Sequence, residues 1–188
     1  MSDAFFYFCL GMALVIITVF VRARFADFRG QSAEDYVDAH PHFDMRQHLL
    51  GPMVCEGVIF GPLGRMTSTF VADFNVSWDG NTGHIAEEFR YDDGSTQNRA
   101  WTIELNDDGS FKALADDVPG EGKGNVSGSA VLFRYPITLP QDAGGFTLNA
   151  FDCMYLAPNG TVVNRSQFRK FGFKVAELVA TIRKADTA

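Results

Sequence analysis

Three charged residues occupy positions where a β-strand would place apolar side chains. Because successive side chains of a strand point to opposite faces, Arg99 shares a face with Trp101. By the same alternation, Glu87 and Asp152 fall on the apolar faces of two further strands. A charge inside a protein needs an opposite charge or hydrogen bonds. We therefore expect Arg99 either to pair with Asp152 or Glu87, or to bind the carboxylate or phosphate of a ligand.

The side chains that share these faces predict an apolar lining for a ligand site. An amphiphile would lay its apolar tail against aromatic and methionine side chains while Arg99 holds its acidic group. The expected ligand-binding residues are Arg99, Trp101, Asp152, Glu87, Phe89, Tyr91 and Met154. The same arrangement would suit a cofactor-free isomerase or cyclase, in which Glu87 or Asp152 acts as the base.

Composition and spacing argue against several other kinds of site. The net charge of -7, from 16 basic and 23 acidic residues, argues against a nucleic-acid-binding protein. The four histidines show no metal-ligand spacing, so neither a metal site nor a cofactor is expected. Cys55 and Cys153 lie in apolar strands and are expected to be inert thiols. Asp116 and Asp117 are expected to cap a turn or to lie at a solvated strand end.

The elements that position these residues are predicted to be strands of an antiparallel sheet. From residue 49 onward, apolar runs alternate with turns that contain Gly, Asp or Asn. Eight strands are predicted, at about 53–60, 66–78, 83–91, 96–106, 110–117, 125–139, 146–156 and 161–171. Residues 173–184 place apolar side chains on one side of a helical projection and so predict a C-terminal α-helix.

Short connections between these strands predict that neighbours in sequence are neighbours in space. Eight up-and-down strands leave two open edges unless the sheet closes, and a closed eight-stranded barrel can hold one small ligand. We therefore expect a mainly β, lipocalin-like barrel with the C-terminal helix packed outside. A two-sheet sandwich fits the same pattern.

The N-terminal segment differs in composition from the rest of the chain. Phe5–Val21 has no charged residue and is long enough, as a helix, to cross the hydrocarbon core of a membrane. Arg22, Arg24 and Arg29 follow it, which favours an uncleaved single-pass anchor with the barrel on the cytoplasmic side. The predicted division is an anchor with its basic flank at 1–29, a tether at 30–48 and a barrel domain at 49–188.

Several blocks of the sequence follow the order of motifs in one protein family. An E-F-x-Y-x-D-G block matches residues 88–94, and an R-x-W block matches Arg99 and Trp101. A D-V-x-G block followed by G-x-A matches residues 117–130, and N-R followed by K-F-G matches residues 164–172. These blocks resemble a bacterial family of unknown function, DUF3833, over roughly residues 50–185. The family's D-D-W-M block differs here and reads Phe151-Asp152-Cys153-Met154.

The resemblance implies a bacterial source and a lipid connection, and together with the apolar span it predicts a location in the bacterial inner membrane. The family has no established activity, but genes like it are often found beside fatty-acid-modifying methyltransferases. Many relatives begin with a lipoprotein signal, which implies a barrel outside the cytoplasm and opposes the side indicated by the arginines.

Together these observations predict a membrane-anchored, non-enzymatic protein that binds a fatty acid or another lipid-derived amphiphile. The alternatives are the isomerase or cyclase described above and a structural or assembly module at the membrane. A cavity of about 300 Å³ or more beside Arg99, Trp101 and Asp152 would favour a ligand. Closure of the three charges on one another would favour a structural role.

Overall fold

Ten antiparallel strands form a barrel in the computed structural model, which describes residues 3–185. Each strand pairs with the next one in the chain, and the last pairs with the first to close the sheet. The strands are β1 Gly51–Phe60, β2 Met66–Asp79, β3 Thr82–Tyr91, β4 Thr96–Leu105, β5 Ser110–Leu114, β6 Gly122–Ser127, β7 Ala130–Thr138, β8 Thr147–Leu156, β9 Val162–Lys170 and β10 Phe173–Lys184. Because the sheet is closed, it leaves no open edge, and the sandwich alternative is wrong.

The predicted number of eight strands is wrong, because one predicted strand is two and the segment predicted as a C-terminal helix is a strand. The predicted strand 125–139 covers the second half of β6 and all of β7, which a tight turn at Gly128 connects. Gly128 has a φ of 50°, and a Cβ atom there would lie 1.8 Å from the carbonyl oxygen of Tyr36. Both the turn and the close approach of the N-terminal segment therefore require glycine at this position.

The predicted C-terminal helix is also wrong, because residues 173–184 form β10. The apolar residues of this segment fit a period of two as well as a helical period, and Leu178, Ala180 and Ile182 pack into the core. β10 pairs with β1 on one side and with β9 on the other. Without β10 both neighbours would be open edges, so barrel closure decides between the two patterns.

The barrel interior is rich in aromatic side chains near its centre. The Trp101 ring packs edge-to-face against Phe133 and Tyr135, with ring centroids 5.4 Å and 5.2 Å away. Phe133 and Tyr135 stack on each other at 4.6 Å. All three side chains are buried, so β4 and β7 are held together across the interior.

The N-terminal helix α1, Asp3–Phe25, is exposed along its length. Residues Asp3–Arg22 are apolar enough, and long enough, to cross a membrane, and a signal sequence has the same properties. Arg22 and Arg24 lie in the last turn of this helix.

The segment between α1 and the barrel packs against the barrel over much of its length. It contains 3₁₀ turns at Phe28–Gly30 and Ala33–Tyr36, and a short helix α2, Met45–His48. The Phe28 ring lies 5.1 Å from the ring of Phe151 on the outside of β8. At the other end of the segment, Met45 and Leu49 are buried in the main core. Within the predicted tether 30–48, Phe43 and Met45 thus contribute apolar side chains to the core.

Candidate functional site

A cavity of about 150 Å³ lies inside the barrel. Its lining includes six of the seven residues predicted to bind a ligand: Glu87, Phe89, Arg99, Trp101, Asp152 and Met154. Tyr91, the seventh, packs beside Phe89, and its hydroxyl group donates a hydrogen bond to Gln97. The cavity therefore lies beside the predicted residues, but its volume is about half of the 300 Å³ above which the sequence analysis favours a ligand.

Arg99 forms a partly buried ion pair with Asp117, a residue that the sequence analysis did not select as a ligand-binding residue. Arg99 Nε donates to Asp117 Oδ2 at 2.8 Å, and Nη2 donates to Oδ1 at 3.0 Å. The guanidinium group also lies over the Trp101 ring, 4.7 Å from its centroid. Two of its nitrogens are thus committed to a carboxylate of the protein, which leaves Arg99 less able to hold an acidic ligand.

Glu87 lies opposite Arg99 on the neighbouring strand but does not form a direct hydrogen bond with it. Glu87 Oε2 is 3.9 Å from Arg99 Nη1. Burial raises the pKa of Glu87 to about 7; the charge of Arg99 lowers it and the charge of Asp152 raises it. The Glu87 carboxyl group therefore changes its protonation state near neutral pH.

Asp152 is held by a hydroxyl group and not by Arg99. Tyr135 donates a hydrogen bond to Asp152 Oδ2 at 3.0 Å. Burial raises the pKa of Asp152 to about 6, against the opposing effects of hydrogen bonds from Ser166 and Tyr135. The expected pairing of Arg99 with Asp152 is therefore wrong, and the pairing with Glu87 is only a longer electrostatic contact.

Three oxygen atoms at this cavity are buried without a hydrogen-bond partner in the part of the chain that the structure describes. They are Glu87 Oε2, Asp152 Oδ1 and Asn164 Oδ1, and all three residues line the cavity. A buried acceptor without a donor costs about 1–3 kcal/mol, so three around one cavity form an unusual concentration. The cavity thus offers acceptors to whatever enters it, and it calls for hydrogen-bond donors.

Four residues at the site were not selected by the sequence analysis, and they differ in whether the sequence pattern could have identified them. Asn164 and Ser166 share one face of β9 with the apolar Val162 and Phe168, so the test that selected Arg99 would have selected them too. Tyr135 shares a face with Phe133 on β7 in the same way. Asp117 lies in the loop between β5 and β6, where alternation says nothing about direction. Only its position in the D-V-x-G block marked it.

The predicted membrane-proximal arginines lie away from the cavity. Arg22 and Arg24 are exposed on α1, and Arg29 follows in the first 3₁₀ turn, beside a groove on the outer wall of the barrel. Within residues 3–185, no group of three or more His, Cys, Asp or Glu side chains is arranged to hold a metal ion. The cavity is thus the main candidate site of the interior.

The family model of DUF3833, a protein of unknown function, matches residues 23–184. No curated protein matches the chain significantly.

Solved structures with a similar fold share little sequence with this chain. The S-type phycobiliprotein lyase CPES from Guillardia theta has a TM-score of 0.54 at 9% identity, over 77% of this chain and 92% of that one. Rv2717c from M. tuberculosis has a TM-score of 0.54 at 14% identity, over 79% and 100%. A DUF3598 protein of unknown function from Nostoc punctiforme has a TM-score of 0.52 at 13% identity, over 78% and 51%. At these identities the likeness shows the fold alone.

Proposed function

The chain belongs to the DUF3833 family, and we propose that it is a membrane-anchored protein that binds a small, lipid-derived amphiphile in its barrel cavity. The observation that carries this proposal is the set of three unpaired acceptor oxygens around an otherwise apolar cavity. Each buried acceptor without a donor lowers the stability of the fold, so three at one place support a bound partner that supplies donors.

The size of the cavity limits the ligand. A volume of about 150 Å³ is that of an engineered protein cavity that binds benzene. The enclosed part of the ligand is therefore about the size of one ring or a short branched chain. A long-chain fatty acid would have to extend out of the barrel, so a compact amphiphile fits better than the fatty acid that the sequence suggested.

The chemistry of the lining selects a ligand with hydrogen-bond donors. Glu87, Asp152 and Asn164 offer acceptor oxygens, whereas the Nε and Nη2 donors of Arg99 are already bonded to Asp117. An ammonium group or a hydroxyl group would satisfy the free oxygens. An ionised carboxylate would lie near two carboxylates of the protein and would be repelled by them.

The helix α1 provides the anchoring part of the proposal. Its stretch Asp3–Arg22 is long and apolar enough to cross a membrane, and its large apolar side chains are exposed. Anchored by α1, the barrel would stay beside a membrane, where amphiphiles accumulate.

The proposal is tested by filling the cavity. Ala113 is buried and lines the cavity, and Ala113→Leu would occupy part of its volume. Ala86→Leu, on the outer face of β3, is the matched control. The full chain should be purified from membranes in mild detergent, and its small-molecule content measured by mass spectrometry. We expect an amine- or hydroxyl-bearing amphiphile to co-purify with the wild type and Ala86→Leu, and to be lost from Ala113→Leu. The same content in all three proteins would contradict the proposal.

A second candidate function is proton transfer, because a carboxyl group with a pKa of about 7 lines the cavity. General acid–base catalysis is most effective when the pKa of the catalytic group lies near the working pH. Glu87 would then be the base of a cofactor-free isomerase or cyclase. Incubation of the co-purified ligand in D₂O tests this directly. Deuterium should enter a C–H position with the wild type and not with Glu87→Gln, and absence of exchange with both would rule this candidate out.

A further inference from the structure

A groove on the outer wall of the barrel concentrates arginine side chains. It has a volume of about 420 Å³ and lies on the outside of β7, β8 and β9, beside the first 3₁₀ turn. Arg29, Arg134 and Arg169 line it. Among the side chains that the structure describes, Asp27 is the one carboxylate that forms a salt bridge with any of these three arginines. The groove therefore carries an excess of positive charge.

The arginines are held in place but are not neutralised. Arg134 stacks on the Phe151 ring at 3.3 Å, and its Nη2 donates to the carbonyl oxygens of Arg29 and Gln31. Burial and the nearby charge of Arg29 both lower the pKa of Arg134. Carbonyl oxygens orient a guanidinium group without cancelling its charge, so an anion in the groove would relieve the repulsion between Arg134 and Arg29.

Arg169 adds a donor that lacks an acceptor. Its Nη2 donates to Asp27 and Gln167, and its Nη1 donates to the carbonyl oxygen of Gly172. Its Nε is buried and has no hydrogen-bond partner in the described part of the chain. The groove therefore contains a buried donor without an acceptor, whereas the cavity contains buried acceptors without donors.

The contacts of Arg169 place this groove beside the end of α1. Asp27 lies two residues after the last residue of α1, and Arg169 joins it to the β9–β10 turn. On either side of Gly172 in that turn, the side chains of Phe171 and Phe173 are 88% and 76% exposed. Exposed Phe side chains beside the end of an apolar helix suit insertion at the boundary between lipid headgroups and acyl chains.

From the charge, the free donor and this position, we propose that the groove binds a phosphate-bearing anion, with the headgroup of an anionic phospholipid as its source. Three guanidinium groups around one site match the charge and the several oxygen atoms of a phosphate group. The choice of a lipid rests on the anchoring part of the proposed function. The inference that the groove binds a phosphate group does not depend on the proposed function, because it follows from the arginine side chains of the groove alone.

The test measures which lipid the full chain retains. The protein is purified in mild detergent with equal amounts of phosphatidylglycerol and phosphatidylcholine, and bound lipid is counted by native mass spectrometry. The wild type should prefer phosphatidylglycerol, and Arg134→Gln should reduce that preference roughly fivefold, as expected for one arginine near a lipid surface. Arg29→Gln, at an exposed position, should act in the same direction without disturbing the fold. Arg90→Gln, which changes an exposed arginine paired with Asp73, is the control and should have no effect.

A second arm distinguishes the two sources of phosphate. Inorganic phosphate is added to the detergent-solubilised chain, and its effect on the thermal unfolding temperature is compared with that of chloride at equal ionic strength. Stabilisation by phosphate that Arg134→Gln abolishes, without retention of phosphatidylglycerol, would support the site and assign it to a soluble phosphate. Equal retention of both lipids together with no effect of phosphate would overturn the proposal. Ala113→Leu should leave lipid retention unchanged, so failure of this proposal and failure of the cavity proposal can be told apart.

Discussion

The cavity and the groove lie on opposite faces of the same strands, and their unmet hydrogen-bonding needs are opposite. On β8, Asp152 points inward and Phe151 outward; on β9, Asn164 points inward and Arg169 outward. The inner face has acceptor oxygens without donors, and the outer face has a guanidinium nitrogen without an acceptor. Alternation along a strand thus builds two sites of opposite character within one layer of backbone. The comparison teaches that one strand can leave opposite hydrogen-bonding needs on its two faces, and the two proposals assign a different class of ligand to each face.

The largest difference in stability should appear between the loss of an arginine that lines the cavity and the loss of an exposed arginine on the outer face of the barrel. Arg99→Met leaves Asp117 without its ion pair and Glu87 without its nearest positive charge, and should destabilise the fold by about 3–5 kcal/mol. The matched control is Arg90→Met, because its ion pair with Asp73 is about half exposed and should contribute less than about 1 kcal/mol. Urea unfolding of the full chain in detergent measures both, with the fluorescence of Trp78 and Trp101 as the signal. Equal losses in the two variants would break the comparison.

The acceptor-rich interior should also make stability depend on pH. The unfolded chain releases the Glu87 proton above an ordinary pKa of 4.5, whereas the folded protein keeps it up to about 7. Unfolding therefore releases a proton in this range, and stability falls as the pH rises from about 4.5 to 7 and then levels off. Asp152, whose pKa is raised from 3.8 to about 6, acts in the same direction over its own range.

Glu87→Gln removes the larger part of this effect. Its loss of stability between about pH 5 and pH 8 should be smaller than that of the wild type by about 2–3 kcal/mol. Glu88→Gln, on the outer face of the same strand, is the control and should follow the wild-type profile. Urea unfolding at a series of pH values measures the difference. If the wild-type protein became more stable between about pH 5 and pH 8, the assignment of Glu87 as a buried carboxyl group with a raised pKa would be contradicted.

The smallest effect on stability is expected for an arginine of the groove. Arg134 forms no salt bridge among the described side chains and contributes mainly its contact with the Phe151 ring. Arg134→Met keeps the apolar part of the side chain and should cost about 0.5–1 kcal/mol. The same urea unfolding measures it. A loss as large as that of Arg99→Met would show that the groove is part of the structural framework and not a site held ready for an anion.

Much of the interior could be predicted from the sequence, because strand alternation is a local property. Arg99, Glu87 and Asp152 line the cavity as the alternation predicts, and the family assignment is confirmed. The ion pair of Arg99 with Asp117 could not be predicted in this way, since it joins a strand to a loop 18 residues later. A loop has no alternation that fixes the direction of a side chain.

The errors in the fold have a similar cause. The segment 173–184 fits both a helix and a strand when taken alone, and only pairing with β1 and β9 selects the strand. β6, with the sequence GKGNVS, has little apolar pattern of its own, and the turn at Gly128 that follows it is very short, so two strands look like one. The size of the cavity depends on how large side chains such as Phe133 pack against each other, and no single-sequence pattern contains that information.

The most direct test of the account compares three one-ring ligands of similar size that differ in hydrogen-bonding character: benzylamine, toluene and benzoate. Each is titrated into the full chain in detergent at about pH 8, where Glu87 and Asp152 are ionised, with Trp101 fluorescence and calorimetry as readouts. The account predicts that benzylamine binds at least about tenfold more tightly than benzoate, as expected for one charge-assisted hydrogen bond. It also predicts that Glu87→Gln removes most of this preference and that toluene lies between the two. Tighter binding of benzoate, with the preference unchanged in Glu87→Gln, would contradict it.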